Sequence, residues 1–192
     1  MGGHSGAEID KNRANANKLM GRFLYGLKKK ADYAVISLAG GQKDNAITRE
    51  CITEFLTDAP EEVKAYAKEL QEQIREEYTG SDENITIEVK ENGVETAQVL
   101  HPTSQEKIVF YLQNVPFGIQ KMSGTIKGLV ESSSNIGILR LDEDELFASS
   151  SVRSSVDAAC SAISDKIEYL TEFLGGDYEV QGAYPAWEYR KD

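Results

Sequence analysis

Apolar residues in this chain change their spacing several times, and each change marks a new element. Leu19, Met20, Phe23, Leu24 and Leu27 recur at three- and four-residue steps, which predicts an amphipathic helix over about residues 10–31. YAVISLAGG then reads as a strand closing on glycines, QKDN as a turn, and AITRECITEFLT as a returning strand. Asp58-Ala59-Pro60-Glu61-Glu62 carries the marks of a helix start, with a proline at the entry and acids in the first turn. Val63, Ala67, Leu70 and Ile74 form the stripe of that helix, and ITIEVKE after Gly80 alternates as a further strand.

The same order then recurs. Thr103 is placed to cap a helix bearing Ile108, Tyr111, Leu112 and Val115, which Pro116 and Gly118 stop. KGLVESSSNIGILRL predicts a long strand, DEDE a turn and LFASSSVRSSV the returning strand. Val156, Cys160, Ile163, Ile167, Leu170 and Leu174 give a helical stripe closed by Gly175-Gly176, and DYEVQGAY reads as the last strand. Helix, strand, strand, helix, strand, twice over, is most of a doubled ferredoxin-like unit. The expected class is therefore α+β, with a tandem αββαβ arrangement, a largely antiparallel sheet and the helices on one face. Residues 1–92 form the first half and 93–192 the second. Val63, Leu70, Ile74, Ile163, Ile167 and Leu170 are expected to bury against alternate strand residues such as Val35 and Ile52. Each half lacks, or shares, an opening strand. For the first half it would lie before Met1, so a piece of a longer protein is expected.

Composition narrows the function. The 192 residues suffice for a sizeable core, and 40% hydrophobic residues argue for an ordered chain. A net charge of −11, from 32 acidic and 21 basic residues, repels phosphate backbones, which argues against nucleic acid as a partner. No apolar run reaches membrane-span length, so no membrane partner is expected. Cys51 and Cys160, each inside an apolar pattern, read as two buried thiols of a cytoplasmic protein.

Recognisable catalytic patterns are missing. His4 and His101 are isolated, and the sequence holds no His-x-Asp, HExxH or CxxC spacing. Glu61-Glu62 and Glu76-Glu77 read as solvated helix faces. Gly3-His4-Ser5-Gly6 lacks the central serine of a nucleophile elbow. No metal site and no cofactor are therefore expected in this chain, which by itself should be inactive. Three residues stand out as ligand contacts: His4 after a glycine pair, Asn45 at the hairpin turn, and Arg153, the one base in a serine-rich strand. Each also fits a plain structural part, as a terminal residue, a turn asparagine and an edge-strand charge.

Taken in order, these segments resemble one family. GGHSGAEI with ANANKLMGRFL, DNAITRE, VESSSNIG, VRSS and GAYPAW resemble the lid, or dimerisation, domain of the Xaa-His dipeptidases (aminoacyl-histidine dipeptidase, peptidase D), M20-type metallopeptidases related to carboxypeptidase G2. Ser132 stands where the family pattern has threonine. The resemblance implies a lid over a separate catalytic domain, absent here, that holds paired zinc or other divalent ions. It implies that His4 donates to the scissile carbonyl as it becomes an oxyanion, and that Asn45 and Arg153 bind the peptide. Arg153 would meet the terminal carboxylate, whose shape suits a guanidinium fork. The implied partners are an Xaa-His dipeptide, the enzyme's own catalytic domain and, as in relatives that dimerise through one such lid, a second copy. A free-standing tandem ferredoxin-like module, for ligand binding or oligomerisation, is the alternative.

Overall fold

The computed structural model describes residues 1–93 and 95–182. Strands are β1 (Gly3–His4), β2 (Ala34–Gly40), β3 (Ala46–Ile47), β4 (Cys51–Leu56), β5 (Gly118–Met122), β6 (Val130–Leu141) and β7 (Leu146–Ser154). Helices are α1 (Ala16–Leu27), α2 (Pro60–Glu77), α3 (Pro102–Asn114) and α4 (Asp157–Phe173). This is the α+β arrangement expected, with an antiparallel sheet and four long helices.

Local chemistry sets the helix ends. Helix α1 starts later than its apolar spacing suggests, because Asn12 adopts a left-handed conformation with φ 51° after a short 3₁₀ turn. Asn15 then caps it, its Oδ1 accepting from the N–H groups of Asn17 (2.9 Å) and Lys18 (3.2 Å). Helix α2 opens on Pro60, Glu61 and Glu62 as expected. Helix α3 is capped by His101, not by Thr103: the His101 Nδ1 accepts from the Thr103 N–H at 3.2 Å, with Pro102 at the first helical position. At its other end Lys18 donates to the carbonyls of Leu112 (2.6 Å), Gln113 (3.2 Å) and Val115 (2.9 Å), tying α1 to α3. A cation there satisfies carbonyls that a helix terminus leaves unpaired. Burial pulls the Lys18 ammonium down to about 8, against the carbonyls that favour its charge.

Strand β6 is the centre of the sheet. Strand β7 runs along one of its edges, from Ser132↔Ser154 to Leu141↔Leu146. The other edge is shared, by β5 against Val130–Ser134 and by β2 against Leu139 and Arg140, with β4 outside β2. Between those two pairings the edge of β6 faces no strand. Asn15 Nδ2 reaches the Asn135 Oδ1 (3.0 Å) and the Ile136 carbonyl (2.9 Å), while Asn17 and Thr48 donate to the same carbonyl. Thr48 Oγ1 also donates to the Gly137 carbonyl at 3.0 Å. Three polar side chains thus stand in for a missing stretch of ladder, since buried backbone groups must be paired.

Several expectations need correction. Strand β5 was not anticipated after the stop at Pro116. The strand predicted over 46–57 is split into β3 and β4, and β6 begins at Val130 rather than Lys127. ITIEVKE is extended but joins no sheet: Gln71 Oε1 accepts from the Ile87 N–H at 2.8 Å, and Arg75 Nε donates to the Ile85 carbonyl at 2.6 Å. Side chains of α2 hold it, with Ile85, Ile87 and Val89 against the core. Residues 177–182 form no strand either, and the remainder of DYEVQGAY lies outside the described residues, as does most of GAYPAW.

The core has two parts. One joins Phe23, Leu24, Leu27, Val63, Leu70 and Ile74 of α1 and α2. The other joins Ile108 and Leu112 of α3, Ile163 and Ile167 of α4, and Leu38, Ile136 and Leu139 of the sheet. Met20 touches both. Val35 is buried as expected, but Ile52 is not: it is 57% exposed. Strand alternation explains this, since Cys51 and Phe55 pack toward the helices and therefore turn Ile52, with Glu54, to the open face. Cys51 and Cys160 are half-buried, and burial pushes the Cys51 thiol up to about 12.

Two stability measurements check this picture. Ile136→Ala should cost about 2–5 kcal/mol in urea unfolding, as core truncations do. Ile52→Thr on the open face should stay within about 0.5 kcal/mol. Asn15→Asp keeps the cap acceptor of α1 but sets an anion against the Ile136 carbonyl. It should destabilise by ~1–3 kcal/mol or more, and an unchanged urea midpoint would show that the gap in β6 is not held through Asn15.

Candidate functional site

The glycine pair before His4 has a backbone reason. Gly2 sits at φ 72°, and a Cβ built there would lie 2.2 Å from Arg49 Cγ. From that bend the chain forms β1, which pairs antiparallel with β3 through Gly3↔Ile47 and His4↔Ala46. The Ser5 N–H then donates to the Asn45 carbonyl at 2.9 Å. His4 thus lies on this small ladder and Asn45 one residue before its β3 strand, both exposed.

That ladder is fastened to β6. Asn135 Nδ2 donates to the carbonyls of Asp44 (3.2 Å) and Ala46 (2.9 Å). The hairpin crosses β6 at Gly137, where a Cβ would come within 2.4 Å of the Lys43 and Asp44 carbonyl oxygens. No other residue leaves room for that crossing.

His4 caps a helical turn. Its carbonyl accepts from the Glu8 N–H at 3.0 Å, and its Nδ1 accepts from the N–H groups of Gly6 and Ala7, each at 3.1 Å. Glu8 returns the contact, its Oε2 accepting the His4 N–H at 2.9 Å. This reciprocal pairing has the logic of a capping box. Because Nδ1 is an acceptor, the ring proton of the neutral imidazole resides on Nε2. Arg13 braces the turn by donating to Glu8 Oε1 at 3.0 Å and to the Gly2 carbonyl. The His4 N–H, and after it the Arg13 charge, hold the Glu8 carboxyl below its ordinary range.

Arg153 reaches the same turn from β7. It is exposed, opposite Ser133 in the β6–β7 ladder, and a Cβ built on Gly6 would sit 3.1 Å from its Nε. The guanidinium thus lies close against Gly6, where an added side chain would displace it by a few tenths of an ångström. Gly6 and Arg153 line one end of an open cleft of about 1900 Å³ that continues along β7 to residues 177–182; His4 and Asn45 lie outside its lining.

The three residues singled out in the sequence are therefore connected through one turn: His4 belongs to it, Asn45 accepts from its Ser5 N–H, and Arg153 lies against its Gly6. Sequence reasoning missed Gly6, Glu8, Arg13 and Asn135. The spacing of Glu8 after His4, close to that of a capping box, was the available signal. Among the described residues no group of three or more His, Cys, Asp or Glu is placed to hold a metal ion. Both histidines instead spend Nδ1 on capping backbone N–H groups. No helix among the described residues is long and apolar enough to cross a membrane.

Comparison with known proteins agrees with this layout. Residues 1–82 match the model of the peptidase dimerisation domain. The chain is 29% identical over 189 residues to the cytosol non-specific dipeptidase of Escherichia coli (strain K12), a match covering 97% of this chain and 39% of that protein. The crystal structure of aminoacylhistidine dipeptidase from Vibrio alginolyticus is similar with a TM-score of 0.91 and 31% identity, over 97% of this chain and 38% of that one. The chain thus spans about two fifths of the length of these relatives. Residues 1–82 are thus similar to M20 peptidase dimerisation domains, and nearly the whole chain is similar to one segment of each of the two dipeptidases.

Proposed function

We propose that this chain is the lid domain of a cytoplasmic metallodipeptidase, which hydrolyses dipeptides of the Xaa-His class at a dinuclear metal site carried by the rest of the enzyme. Residues 1–92 and 93–192 are its two halves, and it lends substrate-binding groups to the site rather than metal ligands. The observation that carries this reading is the His4 ring. With Nδ1 accepting from two backbone N–H groups, the exposed ring keeps Nε2–H as its donor, on a turn whose Ser5 bonds the Asn45 backbone and whose Gly6 lies against Arg153.

Peptide hydrolysis turns a planar carbonyl into a tetrahedral oxyanion, and a preset donor is worth most where that charge develops. His4 supplies such a donor without changing its tautomer. Arg153 offers two parallel N–H groups to the free carboxylate that every dipeptide carries, and Asn45 offers an amide to the peptide group. A divalent metal pair, when bound in the catalytic domain, would supply the activated water. The contacts assigned to this domain address carboxylate and carbonyl, which all dipeptides share. The name of the Vibrio relative supports histidine at the second position, and that of the Escherichia relative supports a wider range. A homodimer in which this domain meets a second copy is the arrangement that the matched domain's description supports.

In the intact enzyme His4→Ala should lower kcat by ~10²–10³ while the domain stays folded, as loss of a single oxyanion donor does. Steady-state kinetics with circular dichroism as control measures both, and full activity would remove His4 from this role. Arg153→Ala should weaken cleavage of free dipeptides by about 2–5 kcal/mol in kcat/KM, the scale of an abandoned charge pair in a closed interface. C-terminal amides of the same peptides should lose far less. Equal losses on both would take Arg153 away from the carboxylate.

A further inference from the structure

A donor is useful only if it is held, and His4 itself is exposed, although Ser5 and Ile9 after it are buried. What fixes it is polar. Glu8 spans the turn, with Oε2 on the His4 N–H at 2.9 Å and Oε1 on Arg13 Nη1 at 3.0 Å. Arg13 in turn reaches back to the Gly2 carbonyl, closing a loop of contacts around residues 2–13. Gly3 gives the room: a Cβ there would lie 2.6 Å from Arg13 Nη1 and 2.7 Å from Glu8 Oε2. The two side chains thus pass directly over the backbone that carries the histidine.

We propose that Glu8, braced by Arg13, is a positioning residue that holds His4 in its Nε2–H form and aims it out of the turn. The inference rests on the role given to His4 above, but it concerns the geometry of the turn and can fail separately. Removing the Glu8 carboxylate frees the His4 N–H and releases Arg13. The 4–8 turn then loses the Glu8 half of its reciprocal cap, which leaves the approach of the Gly6 and Ala7 N–H groups to Nδ1 without that brace. A histidine without those two donors exchanges its proton between both nitrogens. The lowered titration range of Glu8 agrees with a permanent carboxylate in this place.

The test is side-chain nitrogen NMR of this chain labelled with ¹⁵N, in the wild type, Glu8→Ala and Glu8→Gln. The wild type should show His4 with one protonated and one acceptor nitrogen, and Glu8→Ala should show the two signals moving together. Glu8→Gln keeps an oxygen for the His4 N–H and should restore most of the separation. Dispersed amide signals elsewhere control for folding, and they are expected to persist. A fixed tautomer in Glu8→Ala would overturn the proposal. In the intact enzyme Glu8→Ala should lower kcat by ~10- to 100-fold with KM nearly unchanged, the cost of a misaligned group, and Glu8→Gln should recover most of it. If His4→Ala is inactive while Glu8→Ala is fully active, the positioning role fails and the proposed function stands. If the tautomer depends on Glu8 but His4→Ala is fully active, the proposed function fails and the structural claim stands.

Discussion

Strand β6 has a gap in its ladder, and the side chain of Asn15 fills it. At that point the edge of the strand pairs with neither β2 nor β5, and the buried carbonyl of Ile136 takes its shortest hydrogen bond from Asn15, with longer ones from Asn17 and Thr48. Asn15 spends both amide hydrogens on β6 and its oxygen on the first turn of α1, so one residue joins the sheet's central strand to the start of a helix. A buried amide used on both sides is expensive to disturb, because each broken bond leaves a group that water cannot reach. The same junction carries Asn135, whose amide holds the hairpin carbonyls of Asp44 and Ala46. Helix α1, strand β6 and the hairpin that bears Asn45 are therefore located relative to one another by hydrogen bonds at a single place.

The two halves of the core hang on this junction. Helices α1 and α2 cover one part and α3 and α4 the other, with Met20 between them and Lys18 binding the end of α3. Within each half an extended segment follows the second helix and packs on the core without joining the sheet. Ile85, Ile87 and Val89 do so after α2, and Tyr178 does so after α4, where its hydroxyl meets Ser164. Strand pairing does not repeat between the two parts of the chain.

The cluster at the His4 turn is built from unlike parts. A two-residue ladder pairs His4 with Ala46, the Ser5 N–H binds the Asn45 carbonyl, Arg153 lies against Gly6, and a carboxylate with its arginine closes the turn. Their precision comes from β6, to which the hairpin is pinned through Asn135 and against which it fits only because residue 137 has no side chain. A rigid sheet with a polar turn on its rim is a common way to present functional groups.

Periodicity in the sequence determined the four helices, the central hairpin of β6 and β7, and the α+β class, because helical and strand spacing are properties of neighbouring residues. His4, Asn45 and Arg153 were likewise legible, as odd residues in their local settings and through the resemblance they carry together. Only the tertiary structure decided what pairs with what. Alternation in ITIEVKE records that one side of an extended chain is buried, and it says nothing of whether a strand or a helix lies opposite. Ile52 looked like core because it is apolar, yet its neighbours Cys51 and Phe55 had already claimed the helix side of β4. The tautomer of His4 depended on backbone N–H groups whose direction a turn fixes, and the contact of Gly6 with Arg153 joins residues far apart in the chain. Asn15 and Asn135 are 120 residues apart, and no local pattern marks them as partners. Local spacing chose the elements; buried hydrogen bonds between distant residues chose where they stand.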